Sequence, residues 1–315
     1  MPDGKVLVAG ASGFIGRRLV PALLREGHEV RALTRSSARY RAPDPRVEVA
    51  QGDVLDPASL REALEGCRAA YYLVHSMGVA GDFAEKDRRG ARHFRDAAAA
   101  AGVEHVVYLG GLGEPGDTSL SEHLRSRHEV GRILLEGPAP ATVFRAAIIV
   151  GAGGASFEMM RQLVMRLPVM VTPRWVRSRC QPIGVDDVVR YLTGCLREPR
   201  ARGRVLDIGG PEVLTYREMM LAFADVVGRH PRIIDVPVLT PHLSSYWVDL
   251  VTDTPAPLAH ALIDGLRNDV VCENDDARRL MPFPLTPFRD AVRRALLEEP
   301  EKVRRKAGLA GARPT

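Results

Sequence analysis

At 315 residues the chain has room for one large domain or two smaller ones, and 45% hydrophobic with 26% charged residues place it with globular proteins rather than disordered or fibrous ones. No apolar run approaches the roughly 20 residues of a membrane span, and a glycine motif close to the N-terminus leaves no room for a secretory signal, so a cytoplasmic protein is expected. The net charge of +5 does not argue for a nucleic-acid partner, because Lys302, Arg304, Arg305, Lys306 and Arg313 against the single acid Glu301 concentrate it in a basic tail, 301–315, expected to be solvated and frayed.

In chain order, "KVLVAG" reads as a strand and "FIGRRLVPALLREG" as a helix; "HEVRALTR" and "VEVAQGDV" follow as strands and "DPASLREALEG" as a helix. The alternation continues through "AAYYLVHS", the helical "FAEKDRRGARHFRDAAAAAG", "EHVVYLGG", the helical "LSEHLRSRHEVGRILLEG" and "ATVFRAAIIVG". Short β-branched runs alternating with amphipathic stretches specify βαβ units, so the fold class is α/β, a doubly wound parallel Rossmann-type sheet. After Gly151 the pattern loosens into a loop, a helix and an extended basic segment. "QPIGV", the helix "DDVVRYLTGCL" and "GRVLDIGG" then restore the rhythm, and Thr215 is placed to cap a helix. The expected organisation is a dinucleotide-binding domain over 1–150, with 178–210 returning to it, and a smaller, mostly helical substrate or lid domain from 151–177 and 211–300. Cys67, Cys180, Cys195 and Cys272 are scattered without metal-like spacing, so buried free thiols and no metal site are expected.

"GASGFIG" follows a strand and opens a helix, the context in which glycine spacing is informative. Gly10, Ser12, Gly13, Phe14, Ile15 and Gly16 would cradle a pyrophosphate on free amides at the positive end of the helix. At the end of the second strand, where an acid would bind an adenosine ribose, stand Arg35 and Ser36, with Arg39 beyond. A guanidinium there suits a 2′-phosphate, so NADP(H) is favoured and NAD(H) is the alternative. Arg17 is a further candidate contact. Asp53 and Val54 after the third strand approach the adenine, although Asp53 could equally cap the next turn. Val74 and His75 end the fourth strand and face the ligand crevice, where His75 is either a site residue or a structural one.

"GASGFIG", "GDVLD", "SEHLRSRHEVG" and "QPIGVDDVVRYL" together resemble the atypical and extended short-chain dehydrogenase/reductase superfamily, in its NmrA-like, NAD(P)H-binding branch. "YYLVHSMG", "YLGGLG" and "LPVMVTPRWVRSRCQPI" are similar to a bacterial group in that branch whose members often carry a further C-terminal domain, which this chain is expected to lack. The resemblance implies a Ser or Thr after the fifth strand and a Tyr-x-x-x-Lys pair on the next helix. Here those positions fall on Gly110 with Gly111, and on His123 and Arg127.

Positions 123 and 127 share one helix face. Arg127 can hold a nicotinamide ribose but cannot act as a base. His123, with a reference pKa of about 6.5, is the expected general acid, and His75 is a second candidate. The plainer reading puts His123 and Arg127 in a surface charge pattern with Glu122, Arg125 and Glu129. Met77, Arg145, Phe157, Trp175 and Arg177 are expected at the substrate pocket, the arginines around Trp175 forming either a cationic lid or salt bridges. The expected activity is NADPH-dependent reduction of a small apolar carbonyl, enone or quinone-like molecule. The alternative is a non-catalytic NADP(H)-binding sensor or scaffold. The expected partners are a small-molecule substrate and a second copy of the chain in a homodimer, with no membrane involved.

Overall fold

The strand-like runs of the first half assemble into one sheet. The computed structural model describes residues 4–75, 83–113, 116, 120–172, 174–235 and 268–307. Its first part alternates β1 (Lys5–Ala9), α1 (Gly16–Arg25), β2 (Val30–Thr34), β3 (Glu48–Gln51), α2 (Pro57–Leu64), β4 (Cys67–Tyr72), α3 (Phe83–Ala100), β5 (His105–Gly111), α4 (Glu122–Leu135) and β6 (Ala141–Ala146). Then come β7 (Ile149–Val150), α5 (Ala155–Arg166), β8 (Val169–Thr172), β9 (Arg179–Cys180), β10 (Ile183–Gly184), α6 (Val185–Gly194) and β11 (Arg204–Ile208). Last are β12 (Leu214–Thr215), α7 (Tyr216–Val226), β13 (Arg232–Asp235), α8 (Asp276–Leu280), α9 (Phe288–Glu298) and α10 (Glu301–Lys306).

Seven strands pair in parallel in the order β11-β6-β5-β4-β1-β2-β3. Both faces are covered, as the continuously apolar strands require. Val6, Val8, Tyr71, Val107 and Leu109 pack with α1 and α6, while Leu7, Ala9, Tyr72, Val106 and Tyr108 pack with α2, α3 and α4. Strand order reverses at β1, so the crevice between the C-terminal ends of β1 and β4 is the place for a ligand.

A second apolar cluster joins α5, α7 and α9 around Phe157, Met219, Phe223 and Val292. It is tied to the sheet by β10, α6 and β11: β11 extends the sheet beside β6, and α6 packs against α1. In the first turn of α6, Asp187 is 1% exposed and accepts hydrogen bonds from Thr286 N and Oγ1 at 2.7 and 3.2 Å, a structural role that fastens the approach to α9. Two expectations need correcting. "RIID", expected within a mostly helical remainder, is β13, paired in parallel with β8, because its β-branched residues find a partner strand far away in sequence. The basic tail is helical through Lys306, with an Arg305–Glu301 pair at 2.6 Å, rather than frayed from Glu301. The four cysteines are free thiols, three of them buried and Cys272 half-buried.

Candidate functional site

The loop from β1 to α1 leaves a space that only glycines permit. Gly10 has φ +90°, and a Cβ on Gly16 would stand 2.2 Å from the Gly10 carbonyl oxygen, so the helix start can close onto the loop only without side chains. A Cβ on Gly13 would meet only Gly10 O, at 3.2 Å, and otherwise fill open space in front of the helix. No side chain caps α1 and its first turn holds no acid, so its dipole faces that space unopposed, while Arg17 N and Arg18 N are already bonded to Gly13 O and Ile15 O. Such a cradle fits a pyrophosphate. Gly10, Gly13, Phe14, Ile15 and Gly16 line it, with Ser12 exposed beside them. Arg17 donates to Ala152 O at 2.7 Å, and Arg18 does the same at 2.9 Å.

From this cradle a cleft of about 370 Å³ runs along the ends of β4, β5 and β6 to α4. Its walls are mainly apolar, with Leu73, Leu109, Leu112, Ile148 and Val270 among them, and at its far end stand His75, His123 and Arg127. The structure brings these three together. Arg127 Nε donates to His123 Nε2 at 2.9 Å, and Arg127 Nη1 donates to His75 Nε2 at 2.9 Å. Both rings are therefore acceptors at Nε2, and in the neutral form each carries its proton on Nδ1. Burial and the adjacent Arg127 charge push His123 down to about 3. Burial, Arg127 and His123 push His75 well below the ordinary imidazole range, against a hydrogen bond to the Leu109 backbone. Burial also lowers Arg127, which remains a cation.

The environment thus argues against the expectation of His123 as a ready general acid: its lone pair is engaged and its ring is unprotonated at neutral pH. Beside it, Gly110 and Gly111 line the cleft where a hydroxyl would stand. A Cβ on Gly111 would lie 2.7 Å from Leu124 Cδ2, so the tip of the Leu124 side chain stands where a serine would go. The Tyr108 hydroxyl donates to Arg127 O at 3.3 Å, holding α4 from behind.

Arg35 and Ser36 sit at the end of β2, Arg35 exposed and free of any ion pair among the described residues. Asp53 Oδ1 accepts from Leu55 N at 2.9 Å, the turn-capping role; Val54 is buried against α3, and Val74 packs with the same cluster. Two of the residues expected at the substrate pocket do not line this cleft. Phe157 is 1% exposed and packs on Phe223 with ring centroids 5.7 Å apart, so it belongs to the core. Arg145 lines not this cleft but an adjoining cavity of about 460 Å³ that shares Gly110, Gly111 and Arg127 with it, and its guanidinium is held by Asp207 at 2.7 and 3.0 Å, Glu273 at 3.1 Å and Gly113 O at 3.2 Å. Arg177 is exposed in the 3-10 turn Arg174–Arg177, and neighbouring Arg179 pairs with Asp269 at 2.8 Å, the salt-bridging alternative for this segment. Met77 and the Trp175 side chain lie outside the described residues. Sequence reasoning missed Leu73, Gly153–Ser156, Tyr216 and Val270 in the cleft wall. The glycine run "GAGGAS" was the available signal for the second of these; the others had none.

A family described as NAD(P)H-binding matches residues 10–137. The chain is 30% identical over 262 residues to a ceramide reductase of Caulobacter vibrioides, covering 80% of this chain and 81% of that one. It is 29% identical to a (4-alkanoyl-5-oxo-2,5-dihydrofuran-3-yl)methyl phosphate reductase of Streptomyces griseus, covering 90% and 95%. Against the chloroplastic divinyl chlorophyllide a 8-vinyl-reductase of Zea mays the identity is 28%, over 74% of this chain but only 62% of the relative's length. In fold it resembles an Escherichia coli NADPH-dependent quinone oxidoreductase complexed with NADPH, at TM-score 0.73 and 20% identity over 91% of this chain and 98% of that one. Citrobacter sp. triphenylmethane reductase complexed with NADP(H) gives TM-score 0.73 at 19% identity, over 92% and 100%. The glycine cradle and the switch-point cleft define an NAD(P)H-binding Rossmann protein. The chain belongs to the atypical short-chain dehydrogenase/reductase family, whose relatives named here are reductases.

Proposed function

We propose that this protein is an NADPH-dependent reductase of a small apolar molecule bearing a carbonyl, enone or quinone-like group. The observation that carries the reading is the cleft itself: a pyrophosphate cradle at one end, a half-buried cation at the other, and an apolar wall between. Gly10, Ser12, Gly13, Phe14, Ile15 and Gly16 would hold the pyrophosphate, Arg35 and Ser36 the 2′-phosphate, and Arg127 the nicotinamide ribose. When bound, the cofactor would supply a hydride at the Gly110–Gly111 end. The relatives are named for a ceramide, a vinyl-bearing chlorophyllide and an (alkanoyl-oxo-dihydrofuranyl)methyl phosphate; the first two support an apolar substrate, and the third adds a phosphate to an alkanoyl group conjugated with a ring.

NADPH and NADH titrations followed by nicotinamide fluorescence test the cofactor assignment. Arg35→Asp is expected to weaken NADPH at least about tenfold relative to NADH, the scale of one charge-assisted contact. Equal loss for both cofactors would remove the 2′-phosphate role. Loss of nicotinamide absorbance with at least one acceptor of a carbonyl, enone and quinone panel is the expected turnover. Equal affinity for NADP⁺ and NADPH with no turnover on any acceptor would instead assign a binding-only protein.

A further inference from the structure

Arg127 has five N–H donors, of which Nε–H and one on Nη1 are spent on His123 and His75. The three that remain are uncommitted among the described residues, and the side chain lines the cleft. The other polar groups nearby are turned elsewhere. Both imidazoles point their Nε2 lone pairs at Arg127, the Tyr108 hydroxyl points at Arg127 O, and the strand end is Gly110–Gly111. Across the cleft, Tyr216 engages Cys180 through its hydroxyl. Among the described residues, what this end of the cleft offers an acceptor's oxygen is the three guanidinium N–H groups of Arg127, with the Nδ1–H of neutral His123 as the other side-chain donor.

Resting on the reductase reading above, we propose that Arg127, whose three remaining N–H groups can serve both the nicotinamide ribose and an acceptor, is also the oxyanion-binding group of this site, and that His75 and His123 are positioning residues that hold it as neutral acceptors. The site then takes acceptors whose oxygen becomes a delocalised anion on reduction, quinones and enones, rather than isolated ketones. With the reduced nicotinamide bound, the cofactor's hydride, two electrons with one proton, would go to a ring or β-carbon of the acceptor, leaving oxidised nicotinamide and moving the π pair onto the acceptor's oxygen. Arg127 N–H groups meet that oxygen. The second proton comes from water, leaving hydroxide to the buffer. A delocalised phenolate or enolate survives long enough for this transfer, whereas the alkoxide of an isolated ketone is about as basic as hydroxide and needs an acid in place.

The test reads the oxyanion site without turnover. With the protein saturated with NADP⁺, binding of 4-nitrophenolate is followed by its absorbance. The wild type should bind it, Arg127→Gln should lose at least about tenfold in affinity, and His123→Leu should lose several-fold through misplaced Arg127. His123→Gln, whose amide oxygen can still accept from Nε, should restore binding and leave quinone turnover within about threefold of wild type, with no ionisation in kcat/KM between about pH 6 and 9. Wild-type-like binding in Arg127→Gln overturns the oxyanion assignment. Loss of quinone turnover by a hundredfold or more in His123→Gln, with 4-nitrophenolate binding intact, makes His123 the acid and overturns its positioning role. Cyclohexanone reduced as fast as cyclohexenone overturns the substrate class. Failure of the reductase reading is a different outcome, no turnover with any acceptor, and the phenolate measurement still decides the role of Arg127.

Discussion

At the scale of single residues, the consequential pair is Gly111 with Leu124. The superfamily's hydroxyl is absent from β5, and restoring it requires the tip of the Leu124 side chain to move, because a Cβ at 111 would meet Leu124 Cδ2 at 2.7 Å and Arg127 Cδ at 3.4 Å. Gly111→Ser should therefore destabilise the fold by about 1–3 kcal/mol, the usual cost of overpacking, and displace Arg127 rather than create a donor. Adding Leu124→Ala should recover part of the loss, a coupling that urea denaturation of the four variants measures directly. Additive effects of the two substitutions would mean that the strand, not Leu124, sets the limit. Arg145 follows a different logic. Its guanidinium is paired with the fully buried Asp207, so Arg145→Ala should cost about 3–5 kcal/mol in the same assay by leaving that carboxylate alone in the core.

At the scale of elements, the β12–α7 junction brings a cleft residue into place. Thr215 and Glu218 form a reciprocal capping box at the start of α7, with Glu218 Oε2 accepting from Thr215 N at 2.7 Å and Thr215 Oγ1 accepting from Glu218 N at 3.2 Å. The next residue is Tyr216, which lines the cleft. Thr215→Ala should cost about 1 kcal/mol in thermal or urea unfolding. A loss under about 0.3 kcal/mol would show that packing around Phe223, not the cap, fixes the helix start. This cap was legible in the sequence, as were the alternating elements of the first half and the glycine loop, because each is written in a few adjacent residues. The pairing of β13 with β8 was not, since its register joins Arg232 to Val169 across a long stretch of chain. The same distinction divides the candidate site. Spacing alone placed His123 and Arg127 on one face. Sequence reasoning could not show that His75, on another element, would share the same guanidinium, or that Phe157 and Arg145 would be drawn into core and ion pair.

At the scale of the whole molecule, the histidines give the fold an acid sensitivity that is larger than any one site supplies. Burial is the leading cause of lowered values at His28, His75, His105, His123 and His128, with His105 pushed down to about 4 and His123 to about 3. His105 is 2% exposed and bonded through Nε2 to Thr142 Oγ1 at 2.7 Å, and both His28 ring nitrogens are buried without a hydrogen-bond partner. In the unfolded chain these rings take up protons near pH 6.5, while the folded chain keeps them neutral to lower pH. Unfolding therefore binds protons below about pH 6.5, and the stability these groups contribute is full above that value and lost as pH falls toward their folded-state values. Glu299 works in the opposite sense: burial and its hydrogen bond with Glu158 raise it to about 7, so its contribution is full below the ordinary carboxylate range and lost as pH rises through 7. One rising carboxyl cannot cancel five depressed imidazoles. The melting temperature should consequently fall between about pH 7 and pH 5, with a slope of more than one proton taken up on unfolding, or over about 1.4 kcal/mol per pH unit. His105→Gln should flatten that slope, whereas Glu299→Gln should steepen it, because Glu299 releases a proton on unfolding across the same interval. A melting temperature that stays level from about pH 7 to pH 5 would mean that the buried rings are hydrated enough to protonate in place.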